Sequence, residues 1–287
     1  MRRLLGIVLA IAVAAAALPA GMASAQTAYQ TSFITSITYQ NVGNAPATIT
    51  FAFYPSSGQP INITRNLPAN ASDSLYIGAV AEISAGFSGS VVMSSAQPIV
   101  ATAVQIPMNS PVKVRPLSNG FANGDTRVLV ATVLKNTANQ NTRFSVQNAS
   151  NAPINWTVNF IPKGSSTPLH SIPASNIAAG VSVSYDVGNI AQLGAAFDGS
   201  ATIEASGQVV ATALELSVNS TGANSFEGVN AGGATIYMPS ALCNFRGQTS
   251  FYAITNTSAT NSAQVTVTYR NTDGNAAGTQ TGTIPAN

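Results

Sequence analysis

The chain repeats itself, and this internal repeat limits what it can fold into more than any local pattern does. Gln40-Asn41-Val42-Gly43-Asn44-Ala45-Pro46 is answered 107 positions later by Gln147-Asn148-Ala149-Ser150-Asn151-Ala152-Pro153, and Thr255-Asn256-Thr257-Ser258 follows a further 108 along. Gly86-Phe87-Ser88-Gly89-Ser90 matches Ala196-Phe197-Asp198-Gly199-Ser200, and Ala101-Thr102-Ala103-Val104 matches Ala211-Thr212-Ala213-Leu214, both at an offset of 110. Leu67-Pro68-Ala69-Asn70 is answered by Ile284-Pro285-Ala286-Asn287, where the third copy ends.

Each Asn-containing block runs into an alternating stretch: Ile49, Phe51 and Phe53, then Trp156, Val158 and Phe160, then Val265, Val267 and Tyr269. Small or polar residues separate the apolar ones, which is the two-residue period of a half-buried strand. Turns ending in Gly58, Gly164 and Gly274 follow. A unit of roughly 110 residues with this rhythm is the size of a seven-strand sandwich, and each unit is large enough to bury its own core.

The expectation is therefore an all-β chain of tandem immunoglobulin-like β-sandwich domains, the third copy incomplete, preceded by a signal-peptide helix. The divisions are a signal peptide over 1–25, a first repeat over 26–108, a second over 109–218 and a truncated third over 219–287. Thr126-Arg127-Val128-Leu129 and Thr235-Ile236-Tyr237-Met238 match at an offset of 109 and are expected to open the second and third copies as strands. The first copy has little room for that strand between Gln26 and Phe33, so it is expected as a shortened unit. Polar stretches over Asn109–Pro111 and Ser217–Asn224 serve as linkers.

Arg2 and Arg3, an apolar run from Leu4 to Ala20 and Ala23-Ser24-Ala25 before Gln26 have the order of a secretory leader with a small-residue cleavage site. The apolar run is shorter than the ~20 residues a spanning helix needs, and nothing comparable follows, so no membrane span is expected after cleavage. Of eleven basic residues, Arg2 and Arg3 leave with the leader, and nine remain against nine acidic ones. A neutral chain gives no support to nucleic-acid binding.

Charged residues make up 7% of the chain, against about 25% in an ordinary soluble domain, so Thr, Ser, Asn and Gln must keep the surface wet. Such a composition suits an extracellular β-protein. Cys243 is the single cysteine, so no intrachain disulfide can form, and within the apolar stretch Met238 to Phe245 it is expected as a small buried hydrophobe.

Thr235-Ile236-Tyr237-Met238-Pro239, the strands ending before Asn148 and Asn256, and Gly86 to Ser90 followed by Gln97-Pro98-Ile99-Val100-Ala101 resemble tandem Ig-like β-sandwich repeats of large secreted or surface proteins of environmental bacteria. The resemblance covers nearly the whole chain after the leader. It implies spacers or adhesive modules, located outside the cell, and no particular activity. The second copy departs from the pattern at Gln208, where Pro98 stands in the first, and at Val130, where Pro239 stands in the third.

Chemistry is sparse. His170 is the only histidine and is read as part of a loop from Pro168 to Pro173. Asp73, Glu82, Asp186, Asp198 and Glu204 stand singly and are read as solvated or turn residues, so no catalytic residue, metal site or cofactor is expected and the chain is not read as an enzyme. Asn62, Asn70, Asn148, Asn155, Asn219 and Asn256 open Asn-x-Ser/Thr triplets, as chance gives in so Asn-, Ser- and Thr-rich a chain.

Trp156, Phe51 and Phe53 fall on the apolar phase of their strands and are expected in the core. Tyr54 is out of phase beside Pro55, and Tyr76 and Tyr185 take similar places in two copies; these three tyrosines are the candidates for contact with a sugar or a protein. The expected function is that of a secreted or cell-surface structural or adhesive repeat protein, its partners an extracellular polysaccharide or other surface proteins. The alternatives are an array of carbohydrate-binding modules and accessory domains of a larger secreted hydrolase.

Overall fold

The computed structural model describes residues 28–286, so the expected signal-peptide helix lies outside the described residues. Strands hold 54% of the described residues and no α-helix occurs among them, which makes the fold all-β.

The first set of strands comprises β1 (Ser32–Asn41), β2 (Ala47–Pro55), β3 (Ile61–Leu67), β4 (Ser72–Tyr76), β5 (Gly89–Ser95) and β6 (Ile99–Met108), followed by a short β7 (Leu117–Asn119). They form two antiparallel sheets, in the orders β4-β1-β6-β7 and β3-β2-β5. The alternation in β2 explains the layering: Ile49, Phe51 and Phe53 are at most 1% exposed, while Thr48, Thr50 and Ala52 take the other face. Ile37 and Tyr39 of β1, Ile63 and Leu67 of β3 and Leu75 of β4 close over them from both layers. Tyr39 meets Phe51 edge to face with 5.0 Å between ring centres.

The second set comprises β8 (Asp125–Lys135), β9 (Gln140–Asn148), β10 (Ile154–Pro162), β11 (His170–Ile177), β12 (Ser182–Asp186), β13 (Phe197–Ser217) and β14 (Ala223–Glu227). The first half of β13 lies between β10 and β8, and its second half lies between β9 and β14. Its register with β8 shifts between Glu204 and Val209, across Ser206-Gly207, so one strand passes from one layer to the other. Val128, Val130, Phe144, Trp156, Val158, Phe160 and Ile203 fill the core between the layers.

In the first set the same course is broken into β5 and β6 around Pro98, which has no N–H to donate. Gln208 at the matching place donates its backbone N–H to Ser150 Oγ at 2.8 Å, and the strand runs on. The carbonyls of the two residues do the same thing in both copies, accepting from Val42 N and from Ala149 N at 2.9 Å each.

Pairing also crosses the expected linkers. β7 adds to β6 beyond residue 108, and β14 adds to β13 in the same manner. The chain turns back to cover the edge of its last long strand before it moves on, which leaves fewer backbone groups unpaired.

The third copy contains one hairpin, β15 (Ala263–Arg270) with β16 (Ala276–Ile284). Val265, Val267 and Tyr269 are half-buried, for no second layer faces them among the described residues. Thr235-Ile236-Tyr237-Met238 is not a strand, contrary to the pattern, and Tyr237 is 88% exposed. Cys243 is exposed and not buried as expected, since the third copy offers no closed core for its apolar stretch to enter. His170 opens β11 and does not lie in a loop; its ring stacks on Phe160 with 6.4 Å between centres.

Candidate interaction site

Three copies of one asparagine hold the units together from inside. Asn41 ends β1 and its Nδ2 donates to Ala45 O at 2.8 Å and to Pro68 O at 3.1 Å, while Gly43 N donates to its Oδ1 at 3.0 Å. Asn148 ends β9 and donates to Ala152 O at 2.8 Å and Ile177 O at 2.9 Å, accepting from Ser150 N at 2.8 Å. Asn256 donates to Asn261 O at 2.6 Å and Pro285 O at 2.9 Å, accepting from Ser258 N at 3.0 Å. Each clamps its own turn to the end of a later strand. Asn41 and Asn148 are fully buried and Asn256 is 8% exposed, which closes the acceptor triplets at Asn148 and Asn256 to a glycosylating enzyme in the folded state.

The three candidate tyrosines are not brought together. Tyr76, at the end of β4, is 40% exposed. Tyr54 lies at the junction of the first two units, where a Cβ on Gly180 would strike its ring; Gly180 has φ +76°, so glycine is required there twice over. Tyr185 is 6% exposed, accepts from Trp156 Nε1 at 2.8 Å and stacks on Phe144 at 5.0 Å, so it belongs to the core and is withdrawn as a ligand contact. Burial raises the pKa of its phenol, and the Trp156 hydrogen bond opposes that.

The pairing explains why Tyr185 was misplaced. Leu75 faces Ile37 across the β4–β1 ladder and Tyr185 faces Phe144 across β12–β9, so Leu75 is the counterpart of Tyr185 and Asp186 is that of Tyr76. A shift of one residue moves a side chain to the other face of a strand.

Asp186, thus turned outward, meets a residue that sequence reasoning passed over. Tyr29 donates its hydroxyl to Asp186 Oδ1, and the Arg143 guanidinium lies 4.7 Å from the Tyr29 ring centre and 3.5 Å from Asp186 Oδ2. Arg143 Nη2 also donates to the Tyr29 carbonyl. Burial first, and the Asp186 hydrogen bond and charge next, push the Tyr29 phenol well above its ordinary value; Arg143 pulls the other way. Tyr29 N further donates to Ser217 O at 2.7 Å, which ties the start of the described chain to the second unit. A lone aromatic before β1 carries no sequence signal for this role.

Two more contacts span the same units: Ser90 Oγ donates to Gly180 O, and Asn119 N donates to Glu227 Oε1 at 2.6 Å. Beside the Ser90–Gly180 contact lies a shallow cleft of about 280 Å³, lined by Ser56, Ser88 and Gly89 on one side and Ile177, Val181, Ser182, Val183 and Ser184 on the other. Hydroxyls and small apolar groups dominate it, and a polar uncharged ligand is the chemistry it suits. Among the described residues no three His, Cys, Asp or Glu side chains gather as a metal site, and no helix is long and apolar enough to cross a membrane. The chain matches no known family model, no curated protein and no solved structure.

Proposed function

We propose that the chain is a secreted or cell-surface structural or adhesive repeat protein, in which tandem Ig-like β-sandwiches act as spacers or interaction modules without catalysis. The observation that carries the reading is the junction: Tyr29, Arg143 and Asp186, together with Ser90, Gly180, Asn119 and Glu227, bond one unit to the next, as a spacer of fixed geometry requires. The leader-like residues 1–25 and the low charge support an extracellular site of action.

The Ig-like part rests on the repeat length, the two facing layers and two pairings. β9 with β12 and β10 with β13 correspond to the B–E and C–F pairs of an immunoglobulin sandwich. The bent β13, shared by both layers, departs from that plan.

Expression with residues 1–25 in place, followed by fractionation and intact mass, tests the reading. A chain beginning at Gln26 outside the inner membrane supports it; a cytoplasmic product still carrying Met1 overturns it.

The alternative of a carbohydrate-binding array retains the exposed Tyr76 and the hydroxyl-lined cleft beside Tyr54. Retention on insoluble polysaccharide, lost in a Tyr54→Ala, Tyr76→Ala variant, would favour it over a plain spacer.

A further inference from the structure

An asparagine or aspartate followed by glycine is the place where a chain most readily attacks itself. The next backbone nitrogen reaches the side-chain carbonyl carbon in a five-membered ring, and glycine has neither a side chain to obstruct the approach nor a narrow choice of backbone angles. Four such pairs occur: Asn119-Gly120, Asn123-Gly124, Asp198-Gly199 and Asp273-Gly274. Ring closure needs a backbone that can turn and a glycine N–H not engaged in pairing, so the tertiary structure decides among them.

Three of the four are held. Asn119 lies in β7 opposite Thr102, and Gly120 N donates to Ala101 O at 2.8 Å. Gly199 lies inside β13, facing Pro162 of β10 on one side and Val133 of β8 on the other. Gly274 N donates to Asn271 O at 3.0 Å in the turn between β15 and β16.

Asn123-Gly124 lies outside every strand, in the segment that leads from β7 into β8, and Gly124 N makes no backbone hydrogen bond among the described residues. Asn119 and Asn123 are both exposed, so access of water to the carboxamide does not separate them; the backbone does. The glycine is also fixed by its surroundings. A Cβ on Gly124 would stand 2.8 Å from Val209 O and 3.0 Å from Ala149 Cβ, so packing demands glycine there and the reactive pair comes with it.

We propose that Asn123 converts itself in the folded chain to aspartate and isoaspartate through a succinimide, while Asn119 is spared. Gly124 N bonds to Asn123 Cγ, the Cγ–Nδ2 bond breaks, and the departing nitrogen takes the proton from Gly124 N and leaves as ammonia. Water then opens the ring. Attack at Cγ gives aspartate, and attack at the main-chain carbonyl gives isoaspartate, with the chain now running through the side-chain carbons. Nothing is oxidised or reduced, and water is the only co-reactant. Either product adds a negative charge two residues before Asp125, whose Oδ1 accepts from Thr126 N at 2.6 Å where β8 begins. The site lies in the stretch that joins the first two units, so the change accumulates with age at that joint.

The test incubates the purified chain, still folded, in mildly alkaline buffer and maps its peptides by mass over time. Asn123 is expected to gain the mass of an amide-to-acid exchange more than about tenfold faster than Asn119, with isoaspartate identified by electron-transfer fragmentation. In urea, where both backbones are released, the two rates are expected to converge. Asn123→Gln, at an exposed position outside the strands, is expected to remove the acidic species that isoelectric focusing resolves in the aged parent. Equal rates at the two asparagines in the folded chain overturn the proposal. So does an Asn123 that reacts only in urea, or an acidic species that Asn123→Gln leaves at its former level.

Discussion

Asn41 and Asn148 hold the same turn with the same hydrogen bonds, 107 positions apart: each carboxamide is fully buried, donates to the carbonyl four residues on, and reaches the end of a strand in the facing sheet. The side chain replaces backbone pairing where the chain changes layers, and so satisfies carbonyls that would otherwise be buried without donors.

Asn148→Ala is expected to destabilise the second unit by about 3 kcal/mol, because it strips donors from the buried carbonyls of Ala152 and Ile177 and an acceptor from Ser150 N. Urea unfolding followed by the fluorescence of Trp156, the only tryptophan, measures that unit alone. Asn62→Ala, on the exposed face of β3, is the control and is expected to stay within about 0.5 kcal/mol of the parent.

Tyr185→Phe keeps the ring in the stack on Phe144 but deprives Trp156 Nε1 of its acceptor. A buried donor without a partner costs about 1–3 kcal/mol, and the same unfolding curve should show it. Tyr76→Phe, at an exposed position, should shift nothing.

Gly180→Ala is expected to open the junction while leaving both cores intact. The left-handed backbone costs an alanine about 1–2 kcal/mol, and its methyl group would strike the Tyr54 ring. Small-angle scattering should show a wider spread of dimensions at unchanged Trp156 fluorescence. Restoration of the parent profile by Gly180→Ala with Tyr54→Ala would locate the effect in that contact.

Alkaline pH should loosen the first unit through Tyr39. Burial, with the Asp73 hydrogen bond at 3.1 Å and the Asp73 charge, pushes its phenol from 10.0 up to about 12. Between these values the unfolded chain has lost the proton and the folded one keeps it, so stability is whole below pH 10 and declines as pH rises towards 12. Stability measured across that window should fall in the parent chain, and the Tyr39 contribution to the slope should vanish in Tyr39→Phe.

The strand content and the inward faces were legible because alternation at period two has one meaning when glycine and proline punctuate it: Ile49, Phe51 and Phe53, and Trp156, Val158 and Phe160, all lie in cores. Tyr185 was not legible. Its assignment depended on whether the offset between copies was 109 or 110 in that strand, and only the ladder partners Leu75–Ile37 and Tyr185–Phe144 decide it. The fates of Pro98 and Gln208 were equally hidden, since whether a strand runs on past a given residue depends on what pairs alongside it.

By itself the sequence determined the period of the strands and the places where glycine, proline and asparagine turn the chain, because these are set by neighbouring residues. Tertiary structure alone decided which edges are covered. β8 seals β13 while β5 pairs with β2 alone among the described residues, Cys243 and Tyr237 face solvent, and Tyr29 joins Arg143 and Asp186. Burial and pairing belong to whatever the rest of the chain brings alongside a strand, and no local pattern contains that partner.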